Sequence, residues 1–238
     1  MAATGGDELE AVKKYFNTSG FERWNKIYGE TDEVNKVQLD IRKGHAQTVG
    51  KVLAWVDADA AADASAGVAG RTVCDAGCGT GSLTIPLAQR GARVSASDIS
   101  AAMVGEAERR YRAAGIAGAH DPVFEAKDLE SVGGKYDTVC CLDVMIHYPQ
   151  DKADAMVAHL ASLAERRVVV SFAPYTPQYA LLKRIGELFP GPAKATRAYL
   201  HRESDVEAAL ERAGFRVARR EMTATSFYFS RLLEAVRV

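Results

Sequence analysis

The chain has 238 residues and a formal net charge of −1, with 30 Lys and Arg set against 31 Asp and Glu. That length buries a full α/β core in one domain with an appendage, and a near-neutral chain with scattered arginines has no field to gather a nucleic acid. No apolar run approaches the ~18 residues of a membrane span, so a bilayer is left only as a peripheral contact.

Met1 to Gly6 are small and carry no signal; a trimmed targeting peptide is one reading of them. Residues 8–30 read as helix in two pieces, broken near Asn17-Thr18-Ser19-Gly20, with Phe16, Phe21, Trp24, Ile27 and Tyr28 gathered there. Apolar positions from Val34 to Val56 recur at three and four, which predicts a longer helix. His45 falls on its apolar face and is read as structural or solvated. Residues 1–57 are therefore expected to form an arm capping whatever follows, with 58–70 an alanine-rich connector, either floppy or an added helix turn.

The first strand, about 71–76, runs into Val73-Cys74-Asp75-Ala76-Gly77-Cys78-Gly79-Thr80-Gly81. Alternating glycines let a backbone turn sharply beneath a ligand, and a helix opening at Gly81-Ser82 would aim free N–H groups at it. A dinucleotide fingerprint needs a third glycine where Ser82 stands. The acid at Asp75 would repel a pyrophosphate but suits a cationic ligand end, such as the ammonium and sulfonium of S-adenosylmethionine. A second strand, 92–98, closes on Asp98, 23 residues beyond Asp75, near the interval at which such an acid meets ribose hydroxyls. Ile99 would lie against adenine, and Ser100 reads as the N-cap of the next helix.

Further strands are expected at Pro122 to Lys127, Tyr136 to Leu142 and Arg167 to Phe172, with a helix from Asp151 to Ala164. Such alternation builds a doubly wound parallel sheet with ligands at the strands' carboxyl ends. Residues 174–202, with an apolar helix around Leu181 to Phe189, are too long for a plain connection and read as an inserted lid. Ser204-Asp205-Val206-Glu207 reads as a capping box for a helix stopping at Gly214. Phe215 to Met222 and Ser226 to Val236 complete seven strands with an antiparallel end. The core is thus 71–173 plus 203–238. Cys140 and Cys141 are adjacent on a strand and point to opposite faces, so all four cysteines are expected as thiols. No His/Cys spacing matches a protein-bound metal.

The glycine motif, Asp98, and Asp128-Leu129 after strand three resemble the class I S-adenosylmethionine-dependent methyltransferases. The resemblance implies a Rossmann-like α/β fold and a cofactor site of Asp75, Gly77, Cys78, Gly79, Gly81, Asp98, Ile99, Asp128, Leu129 and Asp143. Asp128 would hold the adenine amino group, helped by the Leu129 amide. His147, in the segment leaving strand four, is read as base, hydrogen-bond donor or packed loop histidine. His120 and His159 are read as structural or solvated, and His201 is undecided.

Two segments outside those motifs, Tyr15 to Arg42 and Phe189-Pro190-Gly191-Pro192 to His201, are similar to the magnesium-protoporphyrin IX methyltransferases, as is Phe227-Tyr228-Phe229-Ser230-Arg231-Leu232. That resemblance implies methyl transfer from S-adenosylmethionine to a propionate of a magnesium porphyrin, with S-adenosylhomocysteine as product. It implies a chlorophyll-pathway enzyme, of the chloroplast in a plant or alga and otherwise cytoplasmic or thylakoid-associated, with magnesium chelatase or the next enzyme as partner. A propionate with a pKa near ~4.3 is already a nucleophile at neutral pH. His147 and Tyr28 are expected to orient it, with Trp24 on the macrocycle and Lys183, Arg184, Lys194 or Arg197 on the other propionate; helix packing is the other reading of Tyr28 and Trp24. Two rivals remain: an O-methyltransferase of a quinone or phenol, and a non-catalytic S-adenosylmethionine-binding regulator.

Overall fold

A computed structural model of the chain describes residues 5–29, 31–116, 120–177 and 199–238. Seven strands, β1 (Thr72–Ala76), β2 (Arg93–Asp98), β3 (Val123–Ala126), β4 (Tyr136–Cys141), β5 (Ala164–Phe172), β6 (Phe215–Ala224) and β7 (Phe229–Arg237), form one sheet in the order β3-β2-β1-β4-β5-β7-β6. The first five strands pair in parallel, and β7 runs antiparallel to both β5 and β6. Order reverses between β1 and β4, which leaves a crevice at their carboxyl ends where such sheets bind ligands.

The helices are α1 (Gly5–Phe16), α2 (Ser19–Ile27), α3 (Lys36–Ala62), α4 (Thr84–Gln89), α5 (Ala101–Ala113), α6 (Gln150–Leu163) and α7 (Glu203–Arg212). The sheet is apolar on both faces because helices cover both. On one side Cys74, Cys141, Val168 and Val170 pack with Leu160 of α6 and Leu210 of α7. On the other, Val73, Val94, Cys140 and Val169 pack with Val52 of α3, Leu87 of α4 and Tyr111 of α5. Neighbouring Cys140 and Cys141 thus enter different cores, and all four cysteines are free and buried.

One open alternative is resolved and one boundary differs from the sequence reading. The expected connector is helical at its start, since α3 continues to Ala62 and a 3₁₀ turn follows at Ala64–Ala66; alanine favours helix once a long helix has nucleated. Ser204 does not cap α7. The helix begins earlier, behind Arg202, with no side-chain cap, and its first residue Glu203 pairs instead with Arg231 of β7 at 2.9 Å. The capping box lies at Asn35 and Gln38, opening α3. Of the 174–202 insertion only the ends are described; the expected helix around Leu181 to Phe189 lies outside the described residues. Its ends are pinned by a bridge between Pro174 and His201. His201 is fully buried, with Nε2 2.9 Å from the Met145 carbonyl and Nδ1 3.0 Å from Gln150 Oε1, so its role is structural.

An ionic cluster ties α3 to the antiparallel end of the sheet. Arg167 donates to Glu234 at 2.9 Å and to Asp59 at 2.8 Å, while Arg219 forks across the same two carboxylates and lies 5.1 Å over the Trp55 ring. Glu234 and Arg167 are only 2% and 3% exposed. Removing one charge of a buried set strands the other. Glu234→Gln is therefore expected to lower the unfolding free energy by about 2 kcal/mol, read as a lower urea midpoint at unchanged m-value.

Candidate active site

After β1 the backbone turns through Gly77, Gly79 and Gly81 at φ 83°, 52° and 87°, a region closed to most side chains. At Gly77 a Cβ would also come within 2.1 Å of Val144 Cγ2. The Gly77 and Cys78 amides donate to the Ser97 carbonyl at 2.7 and 2.8 Å, and the Gly79 amide donates to Asp98 Oδ2 at 3.0 Å. These bonds fasten the loop to the end of β2. The following helix opens at Thr84, not at Gly81-Ser82, and is only six residues long. The loop itself, and no helix end, therefore lines the crevice, and its glycines leave room for close approach.

The loop floors a cavity of about 440 Å³ roofed by the arm. Trp24, Tyr28, Gly77, Cys78, Gly79, Asp98, Ile99, Leu129, Asp143 and His147 all line it. Asp75, Gly81 and Asp128 do not. Asp75 is 2% exposed behind the loop, where Thr84 Oγ1 donates to it at 2.5 Å; burial pushes its carboxyl up to about 6. It buttresses the turn, because the strand's alternation aims residue 75 into the sheet covering and not toward the crevice. Gly81 packs beside Ile85 and Ala107, and Asp128 caps the Leu129–Ser131 turn by accepting from the Ser131 amide at 2.8 Å. Lys183, Arg184, Lys194 and Arg197 lie outside the described residues.

The arm is bolted down by arginines. Arg110 of α5 donates to the Tyr28 carbonyl at 2.7 Å, to Asn25 Oδ1 at 2.6 Å and to Thr80 of the glycine loop at 3.1 Å. Arg42 of α3 donates to the carbonyls of Ile27, Lys26 and Thr31 at 2.7 to 2.9 Å. Ser100 caps α5 and also donates to the Phe16 carbonyl at 2.8 Å. The aromatic residues of α2 are thereby held over the strand ends. Trp24 lies 5.3 Å from the Tyr28 ring, and Tyr28 lies 4.4 Å from His45.

His147 sits on a 3₁₀ turn after β4, edge-on to Phe16 at 5.2 Å, and the Tyr199 amide donates to the carbonyl of its neighbour Ile146 at 2.8 Å. Burial outweighs the pull of Asp143 and pushes the imidazole down to about 4. It is neutral at pH 7. Burial, then the Asp143 and Asp98 carboxylates, push the Tyr28 phenol well above its ordinary value, so Tyr28 keeps its proton as a donor.

Sequence reasoning missed His45. Its Nδ1 lies 2.7 Å from Asp143 Oδ2, and it lines the cavity. Asp143 is the hub of this wall: Tyr228 donates to it at 2.8 Å, Ser171 at 2.9 Å and Ser230 at 3.3 Å. Its φ of 59° is the one positive value outside glycine among the described residues, a strained geometry that four side chains hold. Burial would raise its carboxyl, yet these bonds, led by His45, bring it below the usual range. Nothing in local sequence links residues 45 and 143; only the Phe227-Tyr228-Phe229 segment carried a hint, and Tyr228 lies in this network.

The cavity fits S-adenosylmethionine. Two carboxylates, Asp98 and Asp143, face a cationic ligand, and the glycine loop gives close backbone approach. Buried atoms Arg23 Nε, Trp24 Nε1, Ser97 Oγ and His147 Nδ1, all on cavity-lining residues, have no partner among the described residues. Buried polar groups without partners are costly, so a polar ligand matches this wall.

A family model described as the magnesium-protoporphyrin IX methyltransferase C-terminus matches residues 141–237, and a methyltransferase-domain model matches residues 73–166. The chain is 63% identical over 232 residues to the chloroplastic magnesium protoporphyrin IX methyltransferase of Arabidopsis thaliana, covering 98% of this chain and 72% of that one. It is 55% identical over 231 residues to the magnesium-protoporphyrin O-methyltransferase of Synechocystis sp., with 97% of each covered. The crystal structure of the Synechocystis enzyme with S-adenosylhomocysteine bound superposes with a TM-score of 0.86, covering 95% of this chain and 98% of that one.

Proposed function

The chain belongs to the magnesium-protoporphyrin IX methyltransferase family, and from that footing we propose how its own residues perform the reaction. It is an S-adenosylmethionine-dependent enzyme that esterifies one propionate carboxylate of magnesium protoporphyrin IX to the monomethyl ester, a step of chlorophyll biosynthesis. The observation that carries the site assignment is that the arm and the glycine loop wall a single cavity, whose lining brings Trp24 and Tyr28 together with His147 and Gly77.

S-Adenosylmethionine, when bound, supplies the electrophilic methyl group and departs as the thioether. The propionate is ionised at neutral pH. A carboxylate O–C bond forms as the S–C bond breaks, the electron pair passes to sulfur, and no proton moves. The protein's work is therefore alignment and exclusion of water. Asp98 receives the ribose hydroxyls, Ile99 and Leu129 flank the adenine, and Gly77 to Gly79 approach the methionine end. Tyr28 donates to the reacting carboxylate from the arm, and neutral His147 donates from the β4 turn without the cationic grip that would blunt the nucleophile. Trp24 offers its face to the macrocycle. The magnesium belongs to the substrate, and no group of His, Cys, Asp or Glu among the described residues is arranged to hold a metal.

Incubation with magnesium protoporphyrin IX and labelled S-adenosylmethionine is expected to add one labelled methyl group to the porphyrin. Transfer instead to a quinone or phenol, or cofactor binding without turnover, would overturn the assignment. The chloroplast is the expected location, as the Arabidopsis relative is named chloroplastic. A magnesium chelatase subunit or the next pathway enzyme is the expected partner, since the macrocycle is too apolar to cross water freely. No described helix is long and apolar enough to cross a membrane.

A further inference from the structure

We propose that Arg23 is the receptor for the propionate of the porphyrin that does not react; this rests on the substrate assignment above. Arg23 lies on α2, lines the cavity, and forms no ion pair among the described residues. Its Nε is buried and without a hydrogen-bond partner there. Other cations on the wall differ: Lys127 is paired with Glu125 at 2.8 Å, and Lys152 has an interaction of its own. A half-buried guanidinium with an unused donor is a poor arrangement unless an anion arrives. A carboxylate is the anion it fits best, through the guanidinium's planar fork.

Position selects which carboxylate. The Arg23 guanidinium lies 6.0 Å over the Trp24 ring, Trp24 is 5.3 Å from Tyr28, Tyr28 is 4.4 Å from His45, and His45 meets Asp143. Asp143 neighbours Val144, which packs on Gly77, so contact by contact the row leads from the methyl-donor loop to Arg23. A porphyrin carries its two propionates on neighbouring pyrroles of one edge. With one at Tyr28 and the ring against the Trp24 face, the other falls toward Arg23. Two anchors on one edge also fix which propionate meets the methyl group.

The test measures methyl transfer and S-adenosylmethionine affinity for the wild type, Arg23→Gln and Arg23→Lys. Arg23→Gln is expected to raise KM for magnesium protoporphyrin about tenfold or more, the scale of a lost charge-assisted pair, with kcat within about threefold and cofactor Kd unchanged. Arg23→Lys, which keeps charge but loses the fork, is expected to fall between. A second substrate, the monomethyl ester whose free propionate is the reacting one, is expected to bind the wild type as weakly as the Gln variant, so the two losses do not add. Unchanged KM in both variants, a rise in cofactor Kd in place of KM, or additive losses would overturn the proposal. Failure of the wild type to methylate magnesium protoporphyrin would instead overturn the substrate assignment on which it stands.

Discussion

Asp143→Asn is expected to lower methyl transfer about a hundredfold and to lower the unfolding free energy by about 3 kcal/mol. Asn accepts the same left-handed backbone, so the variant isolates charge from conformation. The carboxylate takes bonds from His45, Tyr228, Ser171 and Ser230. An amide offers one acceptor oxygen, and its NH₂ must face one of those donors. The His45 ring then loses its anchor, and Tyr28, stacked on it at 4.4 Å, moves with it. An error of about 1 Å in an aligning group is worth about a hundredfold in rate.

The sign of the pH dependence follows from the lowered Asp143 carboxyl. A group depressed on folding contributes stability above its ordinary value of 3.8 and loses it as pH falls through the folded value. The deficit of Asp143→Asn against wild type should therefore be full at pH 7 and shrink on acidification below about 4. Urea denaturation at both pH values measures it. A variant that turns over within threefold of wild type would remove Asp143 from the catalytic wall.

His147→Phe is the second large effect, an expected loss of about a hundredfold in kcat with S-adenosylmethionine affinity retained. The wild-type rate should be flat between about pH 6 and 8. Burial holds His147 down at about 4, and a propionate at ~4.3 needs no base, so neither group titrates in that window. A rate climbing steeply through pH 6–8 would mark a phenolic substrate with His147 as its base, and the carboxyl mechanism would fall. Stability supplies an independent readout. An imidazole at about 4 when folded and 6.5 when unfolded binds fewer protons folded, so stability is full above 6.5 and falls as pH drops toward 4. A phenyl ring in its place has no proton to exchange, and the variant should lose that part of the acid sensitivity.

Much of the frame was legible in the sequence because it rests on short-range rules. The βα alternation, the two-strand antiparallel end and the opposite facing of Cys140 and Cys141 follow from periodicity. The three positive φ values of Gly77, Gly79 and Gly81 follow from spacing. Asp98 at the end of β2 and Ser100 as the α5 cap follow from residue chemistry at a strand-to-helix turn. The capping box at Ser204 failed because the Glu203–Arg231 ion pair, made across the chain, draws the helix start earlier.

What the sequence determined by itself was the fold class, the methyl-donor motif and, through the arm and terminal segments, the substrate family. These are local patterns, each contained within a few dozen residues. Tertiary structure decided which of the motif's acids line the cavity. Asp75 turned inward to Thr84, while Asp143, just beyond the end of a buried strand, became the hub for His45 and Tyr228, residues 98 and 85 positions away. It also separated Arg23 from the other basic residues, for a cation's partner is set by which elements pack around it. Residue type states what a side chain can do; only packing states what is left for it to do.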